Sequence, residues 1–167
     1  MFRALPVVGL SSALFLASVA AGCAPAAAPP VSPPATPFSL AGAKTPLILV
    51  SVRVGDAGPF TFILDTGASM TVLSTKTADA IHLRRGTDVT ATGAGGEGSA
   101  SLAVVDRLSV GTTHVEHLSV AVADMPHVEK AIGRSIDGIL GYNFFRDRCV
   151  QIDYARHEVR FQERCTS

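Results

Sequence analysis

The chain has 167 residues, 14 of them Lys or Arg and 14 Asp or Glu, so it is formally neutral, and 47% of it is hydrophobic. Neutrality without a basic run or stripe excludes the electrostatic footprint of a nucleic-acid partner. Its three cysteines lack the paired spacing of a zinc site.

Arg3 and the apolar stretch Ala4 to Ala21, ending at Gly22-Cys23, have the layout of an export signal over residues 1–22. A membrane-anchoring helix is the alternative, because about 20 apolar residues cross a bilayer, but Pro6 and Gly9 interrupt the run. Ala20-Ala21-Gly22-Cys23 resembles the bacterial lipobox, with Ala20 where a leucine is usual. That resemblance implies an acylated Cys23 and a lipid anchor on the periplasmic face of a bacterial membrane. Ordinary signal cleavage would instead release a soluble periplasmic protein. Residues 23–45 are rich in proline and alanine and nearly uncharged, so they are expected to be an extended spacer. The folded domain is expected at 46–167, roughly 120 residues and enough for one core.

Within that domain Ile48, Val50, Val52 and Val54 recur with period two and predict a strand. The turn formers Gly55 to Pro59 lead into a second strand, Phe60 to Leu64, which delivers Asp65 to its end. Ser74 is placed to cap a short helix reaching Ala80 or Ile81. Strands follow at Asp88 to Thr92, Ser101 to Val110 and His114 to Val122. A helical turn is expected at Val128 to Ile132 and a short helix at Tyr142 to Arg146. The strands Val150 to Tyr154 and Val159 to Phe161 close the chain around a turn at Ala155 to Glu158. Many short strands with little helix predict an all-β domain, a small closed barrel with one or two short helices. Cys149 and Cys165 flank the last hairpin and either form a disulfide or remain free thiols. His114 and His117 fall at odd spacing on a strand, which puts them on opposite faces and argues against a zinc site.

The chemistry centres on Asp65-Thr66-Gly67-Ala68-Ser69, a carboxylate in a glycine-containing turn directly after an apolar strand. Phe62 to Ala68 looks like the catalytic segment of the retroviral-type aspartic proteases. Asp137-Gly138-Ile139-Leu140-Gly141, followed by Tyr142-Asn143-Phe144-Phe145, resembles the second signature of one lobe of that family. The resemblance implies an endopeptidase with Asp65 as catalytic acid and no requirement for a metal or organic cofactor. It gives Thr66 a hydrogen bond across two such turns, Gly67 the tight backbone, and Ile139, Leu140 and Gly141 a packing shelf beneath. It implies that Thr92 to Gly98 is a flap, with Gly93, Ala94, Gly95 and Gly96 at its tip and Ala68 near the substrate. Asp137 lacks the Asp-Thr-Gly arrangement and reads as structural.

Gly93, Gly95 and Gly98 also satisfy G-x-G-x-x-G, but a strand rather than a helix follows, which removes the phosphate site such a loop needs. The acid motif occurs once, and this chemistry needs two carboxylates close enough to share a proton, so a homodimer acting on a peptide or protein is implied. The alternative of a different class is a non-catalytic module that holds an extended peptide in the same cleft and flap.

Overall fold

The computed structural model describes residues 33–42, 46–93 and 96–163. The expected signal, Cys23, most of the spacer, Ala94, Gly95 and Cys165 lie outside the described residues. The elements are β1 (Thr36–Ala41), β2 (Leu47–Val54), β3 (Ala57–Leu64), β4 (Thr71–Leu73), α1 (Thr75–Ala80), β5 (Arg85–Gly93) and β6 (Gly96–Val110). After them come β7 (Thr113–Val122), α2 (Pro126–Ile132), β8 (Gly138–Leu140), α3 (Tyr142–Phe145), β9 (Cys149–Asp153) and β10 (Glu158–Gln162).

The strands form one sheet in the order β5-β6-β7-β4-β8-β3-β2-β1-β10-β9, and an added pairing of β6 with β2 closes six of them into a ring. This is the expected all-β closed barrel. Inside it Val50, Val52, Phe62, Leu73, Leu108, Val120, Leu140 and Phe144 are at most 2% exposed, and they belong to the main core cluster. Burying each such side chain is worth about 1.5–3 kcal/mol.

The period-two reading of β2 holds for Ile48, Val50, Val52 and Val54, all buried. Leu49 and Ile63, assigned by alternation to the opposite face, are buried as well. The reason is a second layer: with Ile136 they form a cluster on which Met125, Val128 and Ile132 of the α2 region pack. A half-buried strand alternates, whereas one covered on both sides reads as a continuous apolar run.

The expected spacer is shorter than 23–45, because Thr36–Ala41 is a strand. It pairs with β2 from Phe38↔Val50 to Ala41↔Leu47 and with β10 at Thr36↔Val159 and Pro37↔Glu158. Thr36 and Phe38 are buried. Their weak local pattern is outweighed by two ready-made strand edges on either side.

β6 and β7 keep one register from end to end, yet both change face midway. Core-facing positions run Ala103, Val105, then Leu108, Val110 on β6, and half-buried Val115, then buried Leu118, Val120, Val122 on β7. His117 at the change has φ 50. The interruption of alternation means that odd spacing no longer assigns His114 and His117 to opposite faces. Both are exposed and line one groove with Glu116, Asn143 and Asp147. Among the described residues no group of three His, Cys, Asp or Glu side chains is arranged to hold a metal.

The turn joining β9 and β10 is fastened by Asp153, whose carboxylate accepts from the Arg156 amide at 3.0 Å and its guanidinium at 2.8 Å. These contacts hold the Asp153 carboxyl below its ordinary value of 3.8. A lowered carboxylate stabilises the fold above its unfolded value, and that contribution disappears as pH falls through the folded one. Asp153→Asn is therefore expected to flatten the acid limb of the stability curve slightly below about pH 4, measured by urea unfolding at several pH values. An unchanged acid limb would contradict the assignment.

Candidate active site

Asp65 is half-buried at the end of β3, where the strand leaves the barrel. Its amide donates to the Leu140 carbonyl at 3.1 Å, so the second motif takes over where β3 stops. Its Oδ1 accepts from the Gly67 amide at 2.8 Å, and the Ala68 amide reaches the Asp65 carbonyl at 3.4 Å. A Cβ at Gly67 would sit 3.2 Å from that same Oδ1, so a side chain there would press on the carboxylate. Thr66 and Gly67 are exposed, and the turn presents Asp65 outward.

The turn is braced from below by the 138–143 segment. β3 and β8 run parallel with Phe62↔Gly138, Ile63↔Ile139 and Leu64↔Leu140 in register, while β4 lies antiparallel on the other side of β8. The Tyr142 amide at the start of α3 donates to the Ala68 carbonyl at 2.7 Å. Ile139, Leu140 and Gly141 thus sit in the packing position expected of them.

Asp137 is structural, as read from the sequence. Its Oδ2 accepts from the Thr61 amide at 2.8 Å, and its carbonyl accepts from the Ser74 amide at 2.9 Å and from Thr77 Oγ1 at 3.0 Å. Ser74 caps α1 by accepting from the Thr77 amide at 3.1 Å.

A second brace was not legible in the sequence. Asn143 Oδ1 accepts from both the amide and the hydroxyl of Thr71 at 2.8 Å, and its Nδ2 donates to the Ser119 carbonyl at 2.7 Å. Thr71 Oγ1 in turn accepts from the Gly141 amide at 3.1 Å. One amide side chain therefore ties the exit of the Asp65 turn to α3 and β7. Its only sequence signal is a polar residue set among aromatic ones in Tyr142-Asn143-Phe144-Phe145. Asn143→Ala would leave fully buried Thr71 short of its acceptor, at a cost of about 1–3 kcal/mol. The urea midpoint is expected to drop by roughly 1 M; an unmoved midpoint would show the brace to be dispensable.

The glycine-rich segment is the tip of the β5–β6 hairpin, closed at Gly93↔Gly96. Gly96 has φ 100, a conformation that favours glycine. Asp88, Thr90 to Thr92 and Gly96 to Ser99 are exposed, and burial begins at Ala100, where the hairpin enters the body. It is a two-stranded arm, the shape expected of a flap.

Two grooves on the surface, one beside Ser51, Pro59 and Arg134 and one beside His114 and His117, do not include Asp65.

The model of a family described as aspartyl protease matches residues 50–144, spanning both motifs. The fold is similar to the crystal structure of a retropepsin-like aspartic protease from Rickettsia conorii, at 17% identity and a TM-score of 0.52, over 75% of this chain and 95% of that one. The EIAV protease complexed with the inhibitor HBY-793 aligns at 25% identity and a TM-score of 0.43, over 62% of this chain and 88% of that one. A search of curated proteins gave no match.

Proposed function

The chain belongs to the aspartyl protease family, and we propose that it is an endopeptidase whose centre is a pair of Asp65 carboxylates, one from each copy of a homodimer. The observation that carries this is Asp65 itself: it is presented outward on a turn braced by Leu140, Tyr142 and Asn143, and each copy supplies one such acid.

Two carboxylates a few ångströms apart cannot both ionise, so the pair keeps one proton and titrates as a unit. The ionised member takes a proton from the water, the water oxygen attacks the scissile carbonyl, and the protonated member donates to the carbonyl oxygen. Collapse of the tetrahedral adduct returns a proton to the leaving amine. In this reading Thr66 links the two turns, and the Gly67 amide holds Asp65 Oδ1 in place. The β5–β6 arm closes over an extended peptide with its backbone groups and excludes bulk water.

We place the enzyme outside the cytoplasm, tethered through Cys23 on the periplasmic side of a membrane. The N-terminal apolar run and the small-residue boundary before Cys23 support this. The disulfide at Cys149 supports an oxidising compartment; Cys165, the partner expected from the sequence, lies outside the described residues. No helix among the described residues is long and apolar enough to cross a membrane.

Peptide cleavage tests the activity. The full-length chain should cut unfolded protein substrates in mildly acidic buffer, and a peptide analogue with a tetrahedral hydroxyl-bearing carbon at the scissile position should block it. Absence of cleavage would favour a peptide-holding module, and cleavage indifferent to that analogue would remove the Asp65 pair from the chemistry.

A further inference from the structure

We propose that the groove beside Arg134 is a recognition site for an acidic side chain of the peptide substrate, about four or more residues from the scissile bond. The proposal rests on reading Asp65 as the cleaving acid, and it adds a substrate preference that the acid itself does not dictate.

The groove lies on the face of the sheet that carries Asp65. Phe62 and Leu64 of β3 face the core, so the alternate positions Thr61 and Ile63 face away from it. Asp65 extends that series, because its amide continues the ladder to Leu140. Residues directly opposite one another on neighbouring strands share a face. Ser51 stands opposite Thr61, and Leu49 stands between Ser39 and Ile63. Ser39, Leu49, Ser51, Pro59 and Thr61 line the groove together with Arg134, which reaches it from beyond α2.

The backbone of Arg134 is fixed by the way α2 ends. Met125, Val128 and Ile132 pack on Leu49 and Ile63, seating the helix beside the groove. Gly133, with φ 72, stops the helix in the left-handed conformation. The amides of Gly133 and Arg134 both donate to the Glu129 carbonyl, at 2.8 and 3.2 Å, and the Glu129 carboxylate accepts from the Ile136 amide at 3.1 Å. Ile136 is buried beyond it. A side chain carried on a backbone held in this way loses less freedom when it takes a ligand.

The chemistry of the lining selects an anion. Among the described residues that line the groove Arg134 alone is charged, and Ser39, Ser51 and Thr61 add neutral hydroxyls. Arg85, Arg156 and Arg160 are each paired with a carboxylate. The exposed Arg134 side chain bonds to no described residue. Its closest acidic neighbours in the chain are engaged elsewhere, Glu129 with Ile136 and Asp137 with the Thr61 amide at 2.8 Å. A guanidinium takes a carboxylate through two parallel N–H bonds, a geometry that neutral side chains do not match.

Position ties the groove to the substrate. Thr61 lies about 13 Å from Asp65 along the strand, a distance that an extended peptide covers with about four residues, and with more where it skirts α2. At about 360 Å³ the groove is at the small end of ligand sites, so it takes a side chain of a longer peptide rather than the whole of it. Each copy of the homodimer contributes one groove, and the preference therefore holds on both sides of the scissile bond.

The test is a digest of a proteome-derived peptide library by the full-length chain, with cut sites read by mass spectrometry. Asp and Glu should be enriched about fivefold, the upper range for an exposed ion pair, at one spacing about four to eight residues from the cut. Arg134→Gln should abolish the enrichment, and Arg134→Glu should replace it with enrichment of Lys and Arg at the same spacing. The residues flanking the cut should be the same for all three proteins. Arg84→Glu makes the same change of charge at an exposed arginine outside the groove and should keep the wild-type pattern. No acidic preference at any spacing, an unchanged preference in Arg134→Glu, or an equal loss in Arg84→Glu would overturn the proposal.

Failure of the groove and failure of the protease give different results. Cleavage without an acidic preference upholds the protease and removes the groove. If the chain cuts nothing, fluorescence anisotropy of a labelled peptide of alternating Ala and Glu decides. Binding that Arg134→Glu weakens about fivefold and Arg84→Glu leaves unchanged upholds the groove without the protease; equal binding by all, or none, removes both.

Discussion

Asp65→Asn should lower peptide cleavage by as much as about 10,000-fold, the full contribution of positioned acid and base groups, while leaving thermal unfolding where it was. The two halves of that expectation have separate causes. Activity falls because an amide neither takes a proton from water nor shares one with its counterpart, and every dimer of the variant lacks both acids. Stability holds because Asn retains an Oδ1 that can accept from the Gly67 amide, the contact the carboxylate makes at 2.8 Å. The side chain is only half-buried, so no charge is stranded in the core. Circular dichroism melts and a fluorogenic peptide assay on the same preparation check both; cleavage within about tenfold of wild type would remove Asp65 from the chemistry.

Gly141→Ala should have the opposite profile, costing stability and activity together. A Cβ there would come 2.8 Å from the Thr71 amide nitrogen and closer still to the carbonyl carbon and oxygen of Met70. These are backbone atoms just after the Asp65 turn and cannot swing aside as the end of a side chain could. Forcing an extra methyl into such a space costs about 1–3 kcal/mol and sometimes more, and relief requires Met70 and Thr71 to move away from α3. That displacement would also disturb the Asn143 brace and the Tyr142 contact with Ala68. Gly98→Ala is the matched control, since nothing lies within 4 Å of its added Cβ. Chemical unfolding should separate the two variants, and equal midpoints would contradict the close fit beneath the turn.

Much of this architecture could be read from local pattern. The alternation of Ile48, Val50, Val52 and Val54 and the cap at Ser74 each depend on neighbours in the chain, and each was found where expected. What escaped depends on distant partners. Thr36–Ala41 becomes a strand because β2 and β10 offer it edges, and Leu49 and Ile63 are buried because α2 arrives from some 70 positions later. The Asn143 brace joins residues 72 and 24 positions apart. At the site, Asp65 and the Leu140 shelf were legible because two motifs constrain each other. The face change at Asp106, Arg107, Glu116 and His117 was not, because residue types at a change of strand face carry no distinctive mark.

The most direct test of a shared centre is a mixing titration. Wild-type chain at fixed concentration receives increasing amounts of Asp65→Asn chain, and the cleavage rate is followed after the copies exchange. If each centre takes one acid from each copy, hybrids carry a lone carboxylate, and the rate should fall towards zero as the variant comes into excess. A rate that stays constant across the titration would mean that every chain works alone, and it would contradict the account.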